Sequence, residues 1–152
     1  MNLKLRPIED PDEAQSLAPL VTRAIADSSA SFHDDPPAEA AVRSLLERHL
    51  VHPEGLLLVA ETEDTEGPRA LVFTAPFADP LGEATTPLIL ALWVDPDLRH
   101  RGLARAIVGE ARRLLEARGF PELAARVSYN DDALISMGER WGFVRSWELV
   151  TS

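Results

Sequence analysis

The stretch from Leu88 to Arg118, LILALWVDPDLRHRGLARAIVGEARRLLEAR, limits what this chain can fold into more than any other. Leu88 to Val94 carries no polar side chain and is too short to be read as a helix, so it is expected as a strand buried on both faces. Asp95 and Pro96 stop it. From Gly102 onward Leu103, Ile107, Ala111, Leu114 and Leu115 recur at three- and four-residue spacing, with Arg105, Glu110, Arg112, Arg113 and Glu116 between them. That is the pattern of a helix with one buried stripe. The connection RHRGLA brings the helix start, whose first N–H groups have no partner inside the helix, next to a glycine without a Cβ. Phosphate suits such a place, and Arg99, His100, Arg101 and Arg105 supply positive charge around it. Salt bridging to Asp95 and Asp97 is the other account of this cluster.

The remaining local signals give the elements around that unit. Leu3 and Leu5 alternate with Lys4 and Arg6, a half-buried strand that stops at Pro7. Asp10, Pro11 and Glu13 then form the start of a helix with a D-x-x-E capping box, carrying Leu17, Leu20, Val21, Ala24 and Ile25 on one face. Ser28 to Pro37 reads as a loop, and Asp35 before two prolines as the entry to a helix bearing Val42, Leu45, Leu46 and Leu50, ended by Pro53 and Gly55. Leu56–Ala60 and Ala70–Ala75 are expected as antiparallel strands joined by a long flexible segment, ETEDTEGPR. PFADPLGEATTP reads as a loop before the central strand. After Gly119, Leu123 to Tyr129 is expected as a strand, Asn130 to Trp141 as a short helix and Phe143 to Val150 as a last strand.

Composition narrows the functions. With 152 residues, 45% of them hydrophobic, the chain is expected to form one domain over 1–152 with its own core. The absence of cysteine excludes thiol nucleophiles, thiolate metal sites and disulfides, and no metal site is expected. A formal charge of -10, with Lys4 the only lysine, argues against nucleic acid and anionic membranes as partners. MNLKLRPIED lacks the apolar core of a signal peptide, and Ala84 to Val94, the longest uncharged stretch, is too short to span a bilayer. A cytoplasmic protein is the expectation.

The expected order of strand, helix, helix, three strands, helix, strand, helix, strand, with RHRGLA and the closing NDDALISMGERWGF, resembles the GNAT superfamily of acyl-CoA-dependent N-acetyltransferases over nearly the whole chain. The family's V-D-P-like turn is matched by Val94, Asp95 and Pro96, and its arginine-to-glycine loop motif by Arg99, Gly102 and Ala104. Its later helix start and GF pair are matched by Asn130, Ala133, Gly142 and Phe143. The resemblance implies an α/β (α+β) fold whose central sheet is mixed, mostly antiparallel, splayed between the fourth and fifth strands and flanked by about four helices. It also implies acetyl-CoA as cosubstrate, with the pyrophosphate held by Arg99, His100, Arg101, Gly102, Leu103, Ala104 and Arg105. The backbone of Trp93 and Val94 would pair with the pantetheine arm, although both residues equally suit plain core positions. Asn130 would either contact the cofactor or cap its helix.

The catalytic groups depart from the family's pattern. Where the family commonly carries a tyrosine acid the chain has Gly138, and where a glutamate base often stands on the fifth strand it has Ala125. An amine with a pKa near about 10.4 is protonated at neutral pH, so a proton route is still required. The candidates are the backbone N–H of Val94 for polarising the thioester carbonyl, Tyr129 as a donor to the leaving thiolate, and His33 or Glu83 as base. Each of these three side chains also reads as a surface, rim or core residue. The leading reading is acetyl transfer to a primary amine, on a small molecule or a peptide, by direct attack, since there is no cysteine for a covalent relay. A catalytically degenerate domain binding acyl-CoA as a sensor or assembly module is the alternative. A Rossmann-type nucleotide domain fits less well, because RHRGLA lacks the three-glycine turn. No motif selects the acceptor or the oligomeric state, a homodimer included.

Overall fold

Five strands lie in the spatial order β1-β2-β3-β4-β5: β1 Leu3–Pro7, β2 Leu56–Thr62, β3 Thr65–Ala78, β4 Thr85–Val94 and β5 Ala124–Ala125. The structure, a computed structural model, describes residues 2–30, 35–78, 84–127 and 131–144. The first four strands pair antiparallel, and β4 pairs with β5 in parallel. Helices α1 (Pro11–Ser16), α2 (Ala18–Ala30) and α3 (Glu39–His49) lie on one face, α4 (Leu103–Ala117) on the other, and α5 (Asp132–Arg140) follows β5. The mixed, mostly antiparallel sheet expected from the sequence is therefore present.

Strand alternation divides the core into two layers. Leu57, Val59, Leu71 and Phe73 face α1–α3 and meet Val21, Val42 and Leu46. Leu56, Leu58, Ala70 and Val72 face α4 and meet Leu103, Ile107, Ala111 and Leu115, the stripe legible in the sequence. Burying one such side chain contributes roughly 1.5–3 kcal/mol, so α4 is held mainly by this face.

Several expectations are corrected. The first helix divides at Leu17, because Pro19 has no N–H for the carbonyl of Gln15; Arg43 Nη1 donates to that carbonyl instead, at 3.0 Å. Asp10 caps α1 through Asp12 N–H at 3.0 Å, but Glu13 does not complete a capping box. Its carboxylate is held by Arg6 at 2.7 Å, and Arg6 Nε also reaches Glu61 at 2.8 Å, tying β1 to α1 and β2. α2 runs on to Ala30, into the expected loop. α3 starts only at Glu39, with Ala38 extended as its N-cap and no side-chain cap. ETEDTEGPR is no flexible linker: β2 and β3 are joined by a tight turn at Glu63 and Asp64, with Thr62 opposite Thr65. β3 and β4 likewise extend into PFADPLGEATTP, pairing Pro76 with Pro87. Of the expected strand from Leu123 to Tyr129, Ala124 and Ala125 pair with β4, and 128–130 lie outside the described residues. Phe143 and Val144 carry no strand assignment, and the rest of the last expected strand lies outside the described residues.

A buried polar knot closes the far end of the sheet. The Glu54 carboxylate accepts from the Thr85 hydroxyl, and the Glu54 carbonyl from the Thr74 hydroxyl at 2.9 Å. Next to it, a Cβ on Gly55 would stand 1.6 Å from the His49 carbonyl oxygen. Gly55→Ala is expected to lower stability by about 3 kcal/mol or more, whereas Gly109→Ala, in open space within α4, raises it by about 1 kcal/mol. Thermal melting of the two variants checks both signs.

The Arg6 guanidinium holds the Glu13 carboxyl below its ordinary value near 4.5. A depressed carboxylate contributes stability that is present above its unfolded pKa and lost as pH falls through the lower folded value. The difference in melting temperature between the parent chain and Arg6→Ala is therefore expected to be constant from about pH 8 to about pH 5 and to shrink below that. A difference that grows in acid would contradict the pairing.

Candidate functional site

The site begins with an irregularity in β4. Phe73 stands opposite Ala91 and Thr74 opposite Ile89, which leaves Leu90 as an extra residue in β4. Leu90 and Ala91 both pack toward α1–α3, while Ile89 and Leu92 pack toward α4. Such a bulge bends its strand. On the other edge, β5 pairs only with Leu88 and Ile89, so from Leu90 to Val94 that edge of β4 has no strand partner among the described residues. This is the expected splay.

Hydrogen-bond parity shows which groups face the opening. Asp95 N–H donates to the Arg69 carbonyl at 2.8 Å, so the next bonded pair back along the ladder is Trp93 with Leu71. The backbone groups of Trp93 are thus turned to β3. Those of Leu92 and Val94 are turned to the open edge. The Trp93 side chain is half-buried and packs on the α1–α3 core, and Val94 packs on the α4 core. Of the two residues singled out in the sequence, only Val94 offers backbone to the opening; Leu92 does so as well and was missed, because parity depends on the β3 register.

Beyond Val94 the chain makes a 3-10 turn over Pro96–Leu98, capped by Asp95, whose carboxylate accepts from Asp97 N–H at 3.0 Å. Leu98 is buried and anchors the turn. His100 (φ 65) and Gly102 (φ 78) are both left-handed, a tight curl of the kind that gathers N–H groups to one side. α4 follows, with no side-chain cap at Gly102. The first intrahelical bond runs from Ala106 N–H to the Gly102 carbonyl, which leaves the N–H groups of Leu103, Ala104 and Arg105 without helical acceptors. A Cβ on Gly102 would meet nothing within 4 Å, so the space in front is open and the glycine is required by its φ.

Charge is distributed differently from the salt-bridging account read from the sequence. Asp95 is taken by Arg69, whose Nε lies 3.1 Å from Oδ2, and not by the loop arginines. Arg99 folds back, its Nε donating to the Val94 carbonyl at 3.1 Å. His100, Arg101 and Arg105 are exposed, and among the described residues Arg101 and Arg105 form no ion pair. Two guanidinium groups thus flank a helix end that itself favours anions. Arg69 was read as the end of a polar linker; its role shows only when β3 is set beside β4.

α5 is fastened to α4. Arg112 Nη1 donates to the Trp141 carbonyl at 2.7 Å, and its guanidinium carbon lies 4.3 Å from the centre of the Phe143 ring. Asp131, not Asn130, caps α5, its carboxylate accepting from Leu134 N–H at 3.0 Å. Gly138 is half-buried within α5, and Ala125 is exposed on β5 beside Ile89. His33, Glu83, Tyr129 and Asn130 lie outside the described residues. Among the described residues no group of three or more His, Cys, Asp or Glu side chains is placed to hold a metal, and no helix is long and apolar enough to cross a membrane.

The match to known families agrees with this geometry. The Acetyltransferase (GNAT) family model covers residues 21–143. The chain belongs to the GNAT family. An acetyltransferase of Yersinia pestis is 34% identical over 95 residues, which is 62% of this chain and 62% of that relative. The match thus spans less than two thirds of the relative's length. Among solved structures, a predicted acetyltransferase of Clostridium acetobutylicum, solved with acetyl-CoA, superposes with a TM-score of 0.75 at 14% identity, over 99% of this chain and 96% of that one. The aminoglycoside 6'-N-acetyltransferase AAC(6')-Ih of Acinetobacter baumannii gives a TM-score of 0.71 at 16% identity, covering 99% and 97%. Identities this low establish the shared GNAT fold.

Proposed function

We propose that this GNAT chain is an N-acetyltransferase that moves an acetyl group from acetyl-CoA to a primary amine by direct attack. One observation carries the reading: among the described residues, the edge of β4 from Leu90 to Val94 has no strand partner and leads straight into a helix start without a side-chain cap, flanked by Arg101 and Arg105, which form no ion pair there. A ligand with a strand-like amide arm and a pyrophosphate fits both. The exposed N–H groups from about Arg101 to Arg105 hold the pyrophosphate, and Arg101 and Arg105 neutralise its charge. Leu92 presents its N–H and C=O, and Val94 its N–H, to the amide arm as a strand neighbour would, while the Val94 C=O is held by Arg99. The Val94 N–H is the donor proposed to polarise the thioester carbonyl, a fixed dipole that needs no reorganisation. Acetyl-CoA supplies the activated acyl group. The absence of cysteine removes the thiol relay and leaves direct attack.

The test is calorimetric. Acetyl-CoA is expected to bind and to stabilise the folded chain by about 2.7 kcal/mol at a hundredfold excess over Kd. Gly102→Glu is expected to abolish that binding by placing a carboxylate where the phosphate sits, at a cost of about 1–2 kcal/mol for a side chain at this left-handed position, and Gly102→Ala, which carries the same strain without the charge, is the control. Unchanged affinity in Gly102→Glu would show that the loop is only structural.

Proton transfer follows from what the site lacks. Gly138 and Ala125 offer neither an acid nor a base at the positions where the family resemblance implies them, and with Tyr129, His33 and Glu83 outside the described residues we assign proton delivery to the departing sulfur and removal from the amine to solvent. A thiol near pKa about 8.5 and an amine near about 10.4 both favour the reaction as pH rises. Turnover is expected to climb from about pH 7 to about pH 9 with no acid-limited fall, measured with any amine that serves as acceptor. The same vacancy favours the second reading, an acyl-CoA-binding sensor or assembly module. Tight binding without acetylation of any amine in a broad panel would replace the enzyme with that module.

A further inference from the structure

Arg69 is the arginine that the described fold buries, 8% exposed, and it lies on the strand behind the site. Its Nη1 donates to Thr65 Oγ1 at 2.7 Å and to Thr62 Oγ1 at 3.3 Å, the two ends of the β2–β3 turn. Its Nε donates to Asp95 Oδ2 at 3.1 Å. The same two residues are joined again through the backbone, Asp95 N–H to the Arg69 carbonyl at 2.8 Å. Asp95 then uses its other carboxylate oxygen to hold Asp97 N–H, and its carbonyl to hold Leu98 N–H at 2.8 Å. The departure of the chain from β4 is therefore set from β3, through one partly buried ion pair and the backbone bond beside it.

An ion pair drawn even partly out of water is weak evidence for stability, because apolar residues of equal volume often serve as well. What it supplies here is direction. The carboxylate of Asp95 bonds Arg69 and Asp97 at once, so it orients the turn between the open backbone edge at Val94 and the helix start at Leu103. Resting on the acetyl-CoA reading above, we infer that Arg69 is a positioning residue. Through Asp95 it sets the spacing between the edge that receives the amide arm and the N–H groups that receive the pyrophosphate. A ligand that bridges both places reads that spacing, and a ligand that touches only the helix start does not. Misplacement by about an ångström is enough to lose up to about a hundredfold in such a bridged arrangement.

The experiment compares coenzyme A with adenosine 5'-diphosphate, which carries the pyrophosphate but no amide arm. Affinities are measured by calorimetry on the full chain and on Arg69→Gln, Asp95→Asn and the double variant, at a temperature where circular dichroism shows each one folded. Asp95→Asn keeps an acceptor for Asp97 N–H and loses the charge that Arg69 grips, so it answers the question even if Arg69→Gln does not fold. Each single change is expected to weaken coenzyme A by at least about tenfold while changing adenosine 5'-diphosphate by less than about twofold. The double variant is expected to be no weaker than the worse single, because both act through one contact. Equal losses for the two ligands, or no loss for either, would overturn the inference and leave Arg69 a structural residue. Failure of the unaltered chain to bind coenzyme A would instead remove the acetyltransferase reading, and this inference with it.

Discussion

A strand that loses its neighbour on one edge leaves N–H and C=O groups that need a partner, and in this chain that loss falls in the middle of β4. At Leu88 and Ile89 the strand is paired on both sides; beyond them the β3 side stays paired, while among the described residues the β5 side has no partner. The bulge at Leu90 turns the strand at that same place, and the Arg99 side chain already satisfies the last carbonyl, that of Val94. The loop, the helix start and the charges around it are arranged downstream of this single break in pairing.

What holds the break open is packing on both sides of it. α4 buries Leu103, Ile107, Val108, Ala111 and Leu115 against the sheet, which fixes the axis whose N-terminus faces the site. Arg112 carries that order on to α5 through Trp141 and Phe143. On the opposite side, α1–α3 pack on Leu71, Phe73 and Ala91, so the strand cannot relax toward either face. Anion affinity at the helix start is then a property of geometry more than of net charge, which is strongly negative for the chain as a whole.

The parts that were legible in the sequence are those with a local cause. The apolar run from Leu88, the stop at Asp95 and Pro96, the α4 stripe and the glycine at 102 each follow from periodicity or backbone sterics within a few residues. Where the sequence reading failed, a distant partner had decided. Glu13 was assigned to a capping box and is taken by Arg6; the arginine cluster was offered Asp95, which Arg69 occupies. The supposed linker before Arg69 is a tight turn, because Arg69 itself binds Thr62 and Thr65 across it.

The sequence by itself therefore determined the family, the order of elements from β1 to α5 apart from the division of the first helix, and the place of the helix start, since these depend on short-range spacing and on residues whose conformational limits travel with them. Only the tertiary structure decided which backbone groups face the opening. Trp93 and Val94 are adjacent and both apolar, and nothing local separates them. The register of β3 does: one residue pairs with Leu71 and is closed, the next is turned outward and is open. A strand's parity is a relation between two segments, and a single segment does not contain it.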